Sequence, residues 1–550
     1  MSARLLAVAA LFHITVAVLL FAAGRMQLAP RFADRDGIAP ASDSLDYRHD
    51  AMKLATVLQR GGFATWRQTA APLHVRLFSL ILTLFAPLAG YGILAAEPLN
   101  LLCYLAVVSL TFAIGRETGG ARAGLVAAAT IALWPTFVFH TTQFLKDPPF
   151  IAGVLALVFV VVTWLTRTYD WRHAVAAATV MTGAASLLLL IRSKFAVAIL
   201  ALIVLGAGLL VARQLIEKRL RVWNLACALV ALAAAVLAVS HSARTFHKVK
   251  AYPSLVRGES KSLAGSRTRV RTAVVRQPAG DQVSQALGSV RGRYIVSDRI
   301  SDSGIDDGVE IRSATDVIGY LPRAAAIGLW APFPAMWLQS GQMVGKAGRL
   351  LTGLETLVIY ILELLTIAAV LLRPRRMPAL LLVLFAALGV TLLGLVVTNI
   401  GTLYRFRYSF WILLIVTGIS GGEKLVRAWR LAGRRRAAMA AVACVCLIGC
   451  SGARPVRSDL TITNRTGSDV EALYLSPSDA PAWEENVLGH DVLRDGDTVA
   501  IRSNSRAQPP LWDLCVEAGP YRAEWLRLER NRISEIALRF DNGVAVAEVR

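Results

Sequence analysis

Residues 4–24, RLLAVAALFHITVAVLLFAAG, decide the class of this chain. They give about 20 consecutive mostly apolar residues, the length that crosses a bilayer as a helix. No small-residue cleavage site follows, so the stretch reads as an anchor helix rather than a removed signal. The pattern repeats outward along the chain. Apolar stretches recur near 75–95, 98–115, 121–139, 149–166, 172–191, 195–212, 224–240, 349–372, 377–397, 406–421 and 437–450. Composition agrees: 55% of the 550 residues are hydrophobic and 17% charged, whereas a soluble domain carries roughly 45–50% and about 25%. The net charge of +22 fits lysines and arginines gathered in cytoplasmic loops rather than a nucleic-acid surface. Of six cysteines, Cys103, Cys227, Cys444 and Cys446 lie in apolar runs, while Cys450 and Cys515 are expected to face water. Their spacing matches neither a metal site nor a disulfide framework.

Charge parity gives a topology. The short loops RETGGAR (116–122), RTYDWRH (167–173), ARQLIEKRLR (212–221), RPRRMP (373–378) and EKLVRAWRLAGRRR (423–436) are basic, which places them in the cytoplasm. HTTQFLKDPP (140–149), the polar segment 242–348 and NIGTLYRFR (399–407) then face outside. The count closes if HVRLFSLILTLFAPLAGYGIL (74–94) is a surface or re-entrant helix. The expectation is a polytopic α-helical membrane protein with about 11 spanning helices, an inside N-terminus and an outside C-terminus. The end of the long loop, LPRAAAIGLWAPFPAMWLQSG (321–341), has the Trp- and Pro-rich amphipathic composition of an interfacial helix.

The last hundred residues change character. DLTITN (459–464), VEALYL (470–475), DTVAIR (497–502), ISEIALRF (533–540) and VAVAEV (544–549) alternate between turn residues, the signature of a small all-β domain, sandwich or barrel. The expected organisation is a membrane domain over 1–425, with a first outer loop at 25–97 and a long outer loop at 242–348. A basic stretch with a short apolar segment follows at 426–455, then a β-sandwich-like outer domain at 456–550.

Polar clusters converge on the outer face. ASDSLDYRHDAMKLA (41–55) carries Asp43, Asp46, Tyr47 and Asp50, which share one face if the stretch is helical; Ser42 can cap its start. A capped, solvated loop is the plain alternative to a general base for an acceptor hydroxyl. Lys146 and Asp147 stand at a helix end, either as an interface anchor or as a second acid that binds a metal or orients an acceptor. Arg192 and Lys194 interrupt the apolar run LLLLIRSKFAVAIL (187–200), at roughly 2.5–3.5 kcal/mol each on insertion scales. They either snorkel to headgroups or hold an anion. Arg405 and Arg407 of GTLYRFRYSF (401–410) pose the same choice between headgroup anchoring and bidentate phosphate binding. Outward acids and outward arginines together fit group transfer from a lipid-phosphate carrier, with phosphate leaving as cations neutralise its charge. A transporter or flippase of lipid-linked sugars, and a non-catalytic envelope assembly protein, are the alternatives. No internal repeat of the transporter kind is seen.

With these motifs in view, the chain resembles the GT-C glycosyltransferases, in particular the family 39-like branch of protein O-mannosyltransferases and lipid A aminoarabinose transferases. The resemblance covers roughly residues 1–425. Asp43-Ser-Leu-Asp-Tyr47 resembles the acidic motif of the first outer loop, with Ser44 where the family often has Glu. ALWPTFVFHTTQFLKDPP (132–149) is similar to the segment bearing the second acid, Asp147. WAPFPAMW (330–337) and NIGTLYRFRYSF (399–410) look like segments of bacterial members. The resemblance implies an inverting glycosyltransferase of a bacterial inner membrane, with a polyprenyl-phosphate sugar as donor and an envelope glycan, lipid or protein as acceptor. Asp43 would deprotonate the acceptor, Asp147 would assist, and Arg405 or Arg407 would hold the phosphate. Tyr47, Lys146, Arg192 and Lys194 would line the site. The cofactor is left unknown; the sequence gives no ligand set for a divalent metal. Separately, RLAGRRRAAMAAVACVCLIGCSG (430–452) resembles a lipoprotein signal with a lipobox. Its Cys450 would be lipidated if the run of about 14 apolar residues is a signal core rather than a short last helix.

Overall fold

The computed structural model describes residues 3–28, 33–34, 37–38, 42–69, 71–166, 170–192, 195–248, 284, 287–288, 290–292, 294, 304–306, 309, 311, 313–338, 345–372, 377–432, 458–478, 483, 486–488, 492–503, 511–518, 521–529, 533, 535–541 and 544–549. Lys194, Cys450 and the apolar run 437–450 fall outside them. The chain divides into two compact units: Met1–Tyr252, Leu329–Leu392 and Tyr404–Gly449 form the first, and Pro253–Gly328, Leu393–Leu403 and Cys450–Arg550 the second.

The protein is mostly helical. In chain order the helices are α1 (Ala3–Arg25), α2 (Ser42–Gln68), α3 (Leu73–Ala89), α4 (Ile93–Gly119), α5 (Ala121–Ala132), α6 (Pro135–Thr141), α7 (Asp147–Thr166), α8 (Trp171–Ile191), α9 (Ala196–Ile216), α10 (Val222–Lys248), α11 (Ala314–Trp330), α12 (Pro334–Trp337), α13 (Gly345–Leu372), α14 (Met377–Val396), α15 (Ile400–Phe406) and α16 (Tyr408–Ala432). Nine helices among the described residues are long and apolar enough to cross a membrane, or ten if α5 and α6 count as one broken span. Only a helix can carry these runs through hydrocarbon, because it satisfies every backbone group internally.

The sequence expectation of one continuous helix at 121–139 is corrected. α5 and α6 meet at a 65° bend. Pro135 at the start of α6 lacks an N–H and leaves Trp134 extended, at φ −71° and ψ 110°. The tight joint between α4 and α5 uses Gly120 at φ 103°, a left-handed conformation that side chains disfavour. α3, within the stretch expected not to span, is a 17-residue helix. Its Phe78 and Leu82 pack with Ala51 and Ala55 of α2, Ala95 and Ala96 of α4, and Phe144.

Buried polar pairs tie the helices together. His13 of α1 bonds through Nδ1 to Glu97 Oε1 of α4 at 2.7 Å and through Nε2 to Thr141 Oγ1 of α6 at 2.9 Å. α13 and α16 approach closely at small residues. A Cβ added at Gly418 or Gly421 would strike the backbone carbonyl of Leu362 or Leu365, the close-contact packing that glycine permits between membrane helices.

The second unit carries the strands that follow a short β1–β2 hairpin (Ala33–Asp34 with Gly37–Ile38) of the first. β3 (Ser458–Arg465), β5 (Thr498–Ser503), β8 (Glu535–Asp541) and β9 (Val544–Val549) form one sheet in the order β5-β3-β8-β9, with β3 and β8 parallel. β4 (Ala472–Pro477), β6 (Leu511–Ala518) and β7 (Tyr521–Glu529) form an antiparallel second sheet. One core joins them, with Ile462, Ile536 and Leu538 from the first and Leu473, Leu475, Trp512 and Leu514 from the second. Cys515, expected to face water, is fully buried, and burial pushes its thiol up to about 12. Elsewhere in this unit, buried Arg291 donates to the carbonyls of Asp306 (2.8 Å), Val309 (3.0 Å) and Leu395 (2.8 Å).

The α13–α16 contact predicts a sharp contrast between two glycines. Gly421→Ala should cost about 1–3 kcal/mol by overpacking, lowering the thermal unfolding midpoint in detergent. Gly183→Ala, where an added Cβ meets nothing within 4 Å, should leave the midpoint unchanged.

Candidate functional site

Four chain segments bring acids and arginines to one end of the helices of the first unit. Asp43 sits in the first turn of α2. Asp147 opens α7, where the positive end of the helix dipole favours a carboxylate. Arg192 follows the last residue of α8, its N–H still bonded to Leu188 O at 2.8 Å. Arg405 lies on α15, a helix of seven residues.

Their guanidinium and carboxylate groups form a chain. Arg192 Nη2 donates to Asp147 Oδ1 at 2.7 Å. Arg405 Nη2 donates to Asp43 Oδ2 at 2.5 Å. Between these two pairs, Arg405 Nε stands 3.9 Å from Asp147 Oδ2. That is too long for a hydrogen bond, and neither atom has another partner among the described residues; nor does Arg192 Nε. Buried donors and an acceptor are thus unspent at the centre of the cluster, an arrangement that costs stability unless something else uses them.

Aromatic rings fix the rest. The Arg192 guanidinium lies 4.2 Å from the Phe406 ring centre, with Phe150 and Phe195 at 5.3 and 5.7 Å. Lys146 Nζ lies 4.9 Å from the Tyr47 ring. Tyr47 meets His74 edge-on at 4.6 Å. Burial, helped by the nearby Lys146 and Arg192, lowers His74 to about 3 and leaves its imidazole neutral at pH 7. Burial works to raise Asp43, but the charge and hydrogen bond of Arg405, with Lys146, hold it below its ordinary value.

The expected residues therefore separate. Asp43, Tyr47, Lys146, Asp147, Arg192 and Arg405 come together. Arg407 does not join them. It is fully buried, stacked 3.8 Å from the Trp411 ring and 5.0 Å from Tyr404. Residues two apart on a helical turn point to opposite sides, so α15 aims one arginine at the acids and turns the next into an aromatic pocket. Of the three aspartates after α1, Asp46 and Asp50 are exposed, while Asp43 is half-buried against Arg405.

Two supports escaped the sequence reading. Ser44, buried beside Asp43, donates to Gln143 Oε1 at 3.3 Å and accepts from the N–H of Phe144 at 3.2 Å. This pins the start of α2 to the segment before Asp147. Glu355 of α13 accepts from the N–H of Thr136 at 2.9 Å, from Thr136 Oγ1 at 2.5 Å and from the Tyr404 hydroxyl. It anchors the residue next to Arg405. A carboxylate inside an apolar run is costly, and that cost was the signal for Glu355. Ser44 gave none.

Asp43 and Asp147 carry two negative charges against three positive ones on Lys146, Arg192 and Arg405. The surplus suits an anion. No group of three or more His, Cys, Asp or Glu among the described residues is placed to hold a metal ion. Both carboxylates face guanidinium groups that repel a cation, so this set does not fit a divalent metal.

The Arg405–Asp43 pair gives a pH signature. In the native chain the lowered carboxyl contributes stability above its unfolded value of 3.8, lost only as pH falls through the still lower folded value. Stability should be flat between pH 5 and 7 on this account. Arg405→Gln leaves burial to raise Asp43, so the variant should unfold at lower temperature at pH 7 than at pH 5. The loss at pH 7 should be about 2 kcal/mol, less than the ~3–5 of a fully enclosed pair, because the Asp43 side chain remains 32% exposed. Thermal unfolding in detergent at the two pH values checks this.

No protein-family model, curated protein or solved structure matches this chain, so its function is read from the site itself.

Proposed function

We propose that this chain is a glycosyltransferase that moves a sugar from a polyprenyl-phosphate donor to a hydroxyl of an envelope glycan, lipid or protein. The observation that carries the reading is the position of Arg405, between carboxylates from two distant segments, with unspent N–H donors on it and on Arg192. The reaction is an inverting displacement. Asp43 accepts the proton of the acceptor hydroxyl. Arg405, Arg192 and Lys146 neutralise the charge that gathers on the leaving phosphate. Asp147 holds the two arginines apart and in register. Tyr47 seats Lys146. The site belongs to the outer face of a bacterial inner membrane, with the N-terminus inside, about eleven spans and the strand domain outside. The eleventh span and the lipidation of Cys450 rest on the sequence pattern of 430–452.

In cells that make the protein, Asp43→Asn should accumulate the same lipid-linked sugar as a deletion does, with transfer lowered about 100-fold or more. If the deletion accumulates the lipid and Asp43→Asn does not, the base is another group. Arg405→Lys should raise the KM for donor, since a lysine loses the bidentate fork, while Arg407→Lys should act on stability without that selective rise. Equal KM effects from both would remove Arg405 from the phosphate site.

A further inference from the structure

The proposed reaction contains a conflict that the geometry itself resolves. Asp43 must accept a proton, yet its carboxylate is engaged by Arg405 at 2.5 Å. Arg405 must neutralise a phosphate, yet it is already bound to an acid. Both groups cannot do their work while they hold one another.

We propose that Arg405 exchanges partners during the reaction, leaving the Asp43 carboxyl for the departing phosphate as Asp43 takes up the acceptor's proton. This rests on the reading of the site as one for a polyprenyl-phosphate sugar. The acceptor O–H bond breaks and its proton goes to Asp43. The acceptor oxygen forms the new bond to the anomeric carbon. The bond from that carbon to the phosphate oxygen breaks, and its electron pair stays on the phosphate. A phosphodiester with one negative charge becomes a monoester with two.

The charges close around this exchange. The cluster has three cations and two carboxylates among the described residues. One diester anion brings it to neutrality. The monoester adds a second negative charge, and the proton on Asp43 removes one, so neutrality is kept. Protonated Asp43 has no charge with which to hold Arg405. The 3.9 Å gap from Arg405 Nε to Asp147 Oδ2 leaves the guanidinium an unspent edge on the side of Arg192, from which to meet the phosphate. The groups that act on Asp43 are Arg405 from α15 and Lys146 and Asp147 from the start of α7, and it acts in turn on Tyr47 and the buried, neutral His74.

The exchange predicts that binding of the product-like monoester takes up a proton and binding of a diester does not. Titration calorimetry of the full-length protein in detergent, in two buffers of different ionisation enthalpy, measures that number. At pH 8 a phosphate monoester is doubly charged, its second ionisation lying near pH 6. Farnesyl phosphate should bind with uptake of about one proton per site, and methyl farnesyl phosphate with none. Asp43→Asn, checked as a monodisperse species, should bind the monoester without uptake. Monoester binding without uptake in the native chain overturns the exchange but not the phosphate site. Uptake that survives in Asp43→Asn places the proton elsewhere and overturns it too. If neither lipid binds, the exchange and the functional reading fail together. The native comparison of the two lipids decides the matter even if the variant does not fold.

Discussion

The guanidinium of Arg405 is the constraint on which the site depends. It bonds to Asp43 near the start of the chain and approaches Asp147 at the head of α7, while Arg192 binds the other oxygen of Asp147. Three segments separated by about a hundred residues or more are tied through one planar group. Such a tie has value only if its parts are held still, because a charge that wanders into hydrocarbon is costly. The supports follow from that need. Glu355 and Thr136 fix Tyr404 beside Arg405. Ser44, Gln143 and Phe144 fix the turn that presents Asp43. Phe150, Phe195 and Phe406 enclose Arg192.

Solvent chemistry explains why the same residues serve both stability and the proposed reaction. A buried ion pair gains little net stability over an apolar substitute, but breaking one partner is severe. The cluster therefore holds its shape strongly while contributing modestly to the fold. A ligand that supplies a new partner for Arg405 can rearrange it at a cost that water, with its strong solvation of the freed groups, does not present in an open loop. The tight α13–α16 contact at Gly418 and Gly421 supplies a rigid frame beneath the residues that must move.

The helices were legible because twenty apolar residues have few other fates. That the acids and arginines belong to one face was legible too, from where the short basic loops lie. What sequence left open was which arginine meets the acids. Arg405 and Arg407 are equivalent in a string, and only the helical turn of α15 sends them to opposite sides. The bend before Pro135 was written in the sequence, yet the apolar run around it masked the break. Glu355 was hidden by the same habit of reading an apolar run as uniform. Ser44 could not be singled out, because its partners Gln143 and Phe144 are remote in the chain. Cys515 was misplaced because the alternation of β6 breaks at Leu514–Val516, three buried residues in succession.

A structure of the protein with farnesyl phosphate bound would test the central claim most directly. The account predicts the phosphate between Arg405 and Arg192, with the Arg405–Asp43 hydrogen bond broken and Asp43 turned toward open space for an acceptor. A phosphate seated elsewhere, with Arg405 still on Asp43, would contradict it.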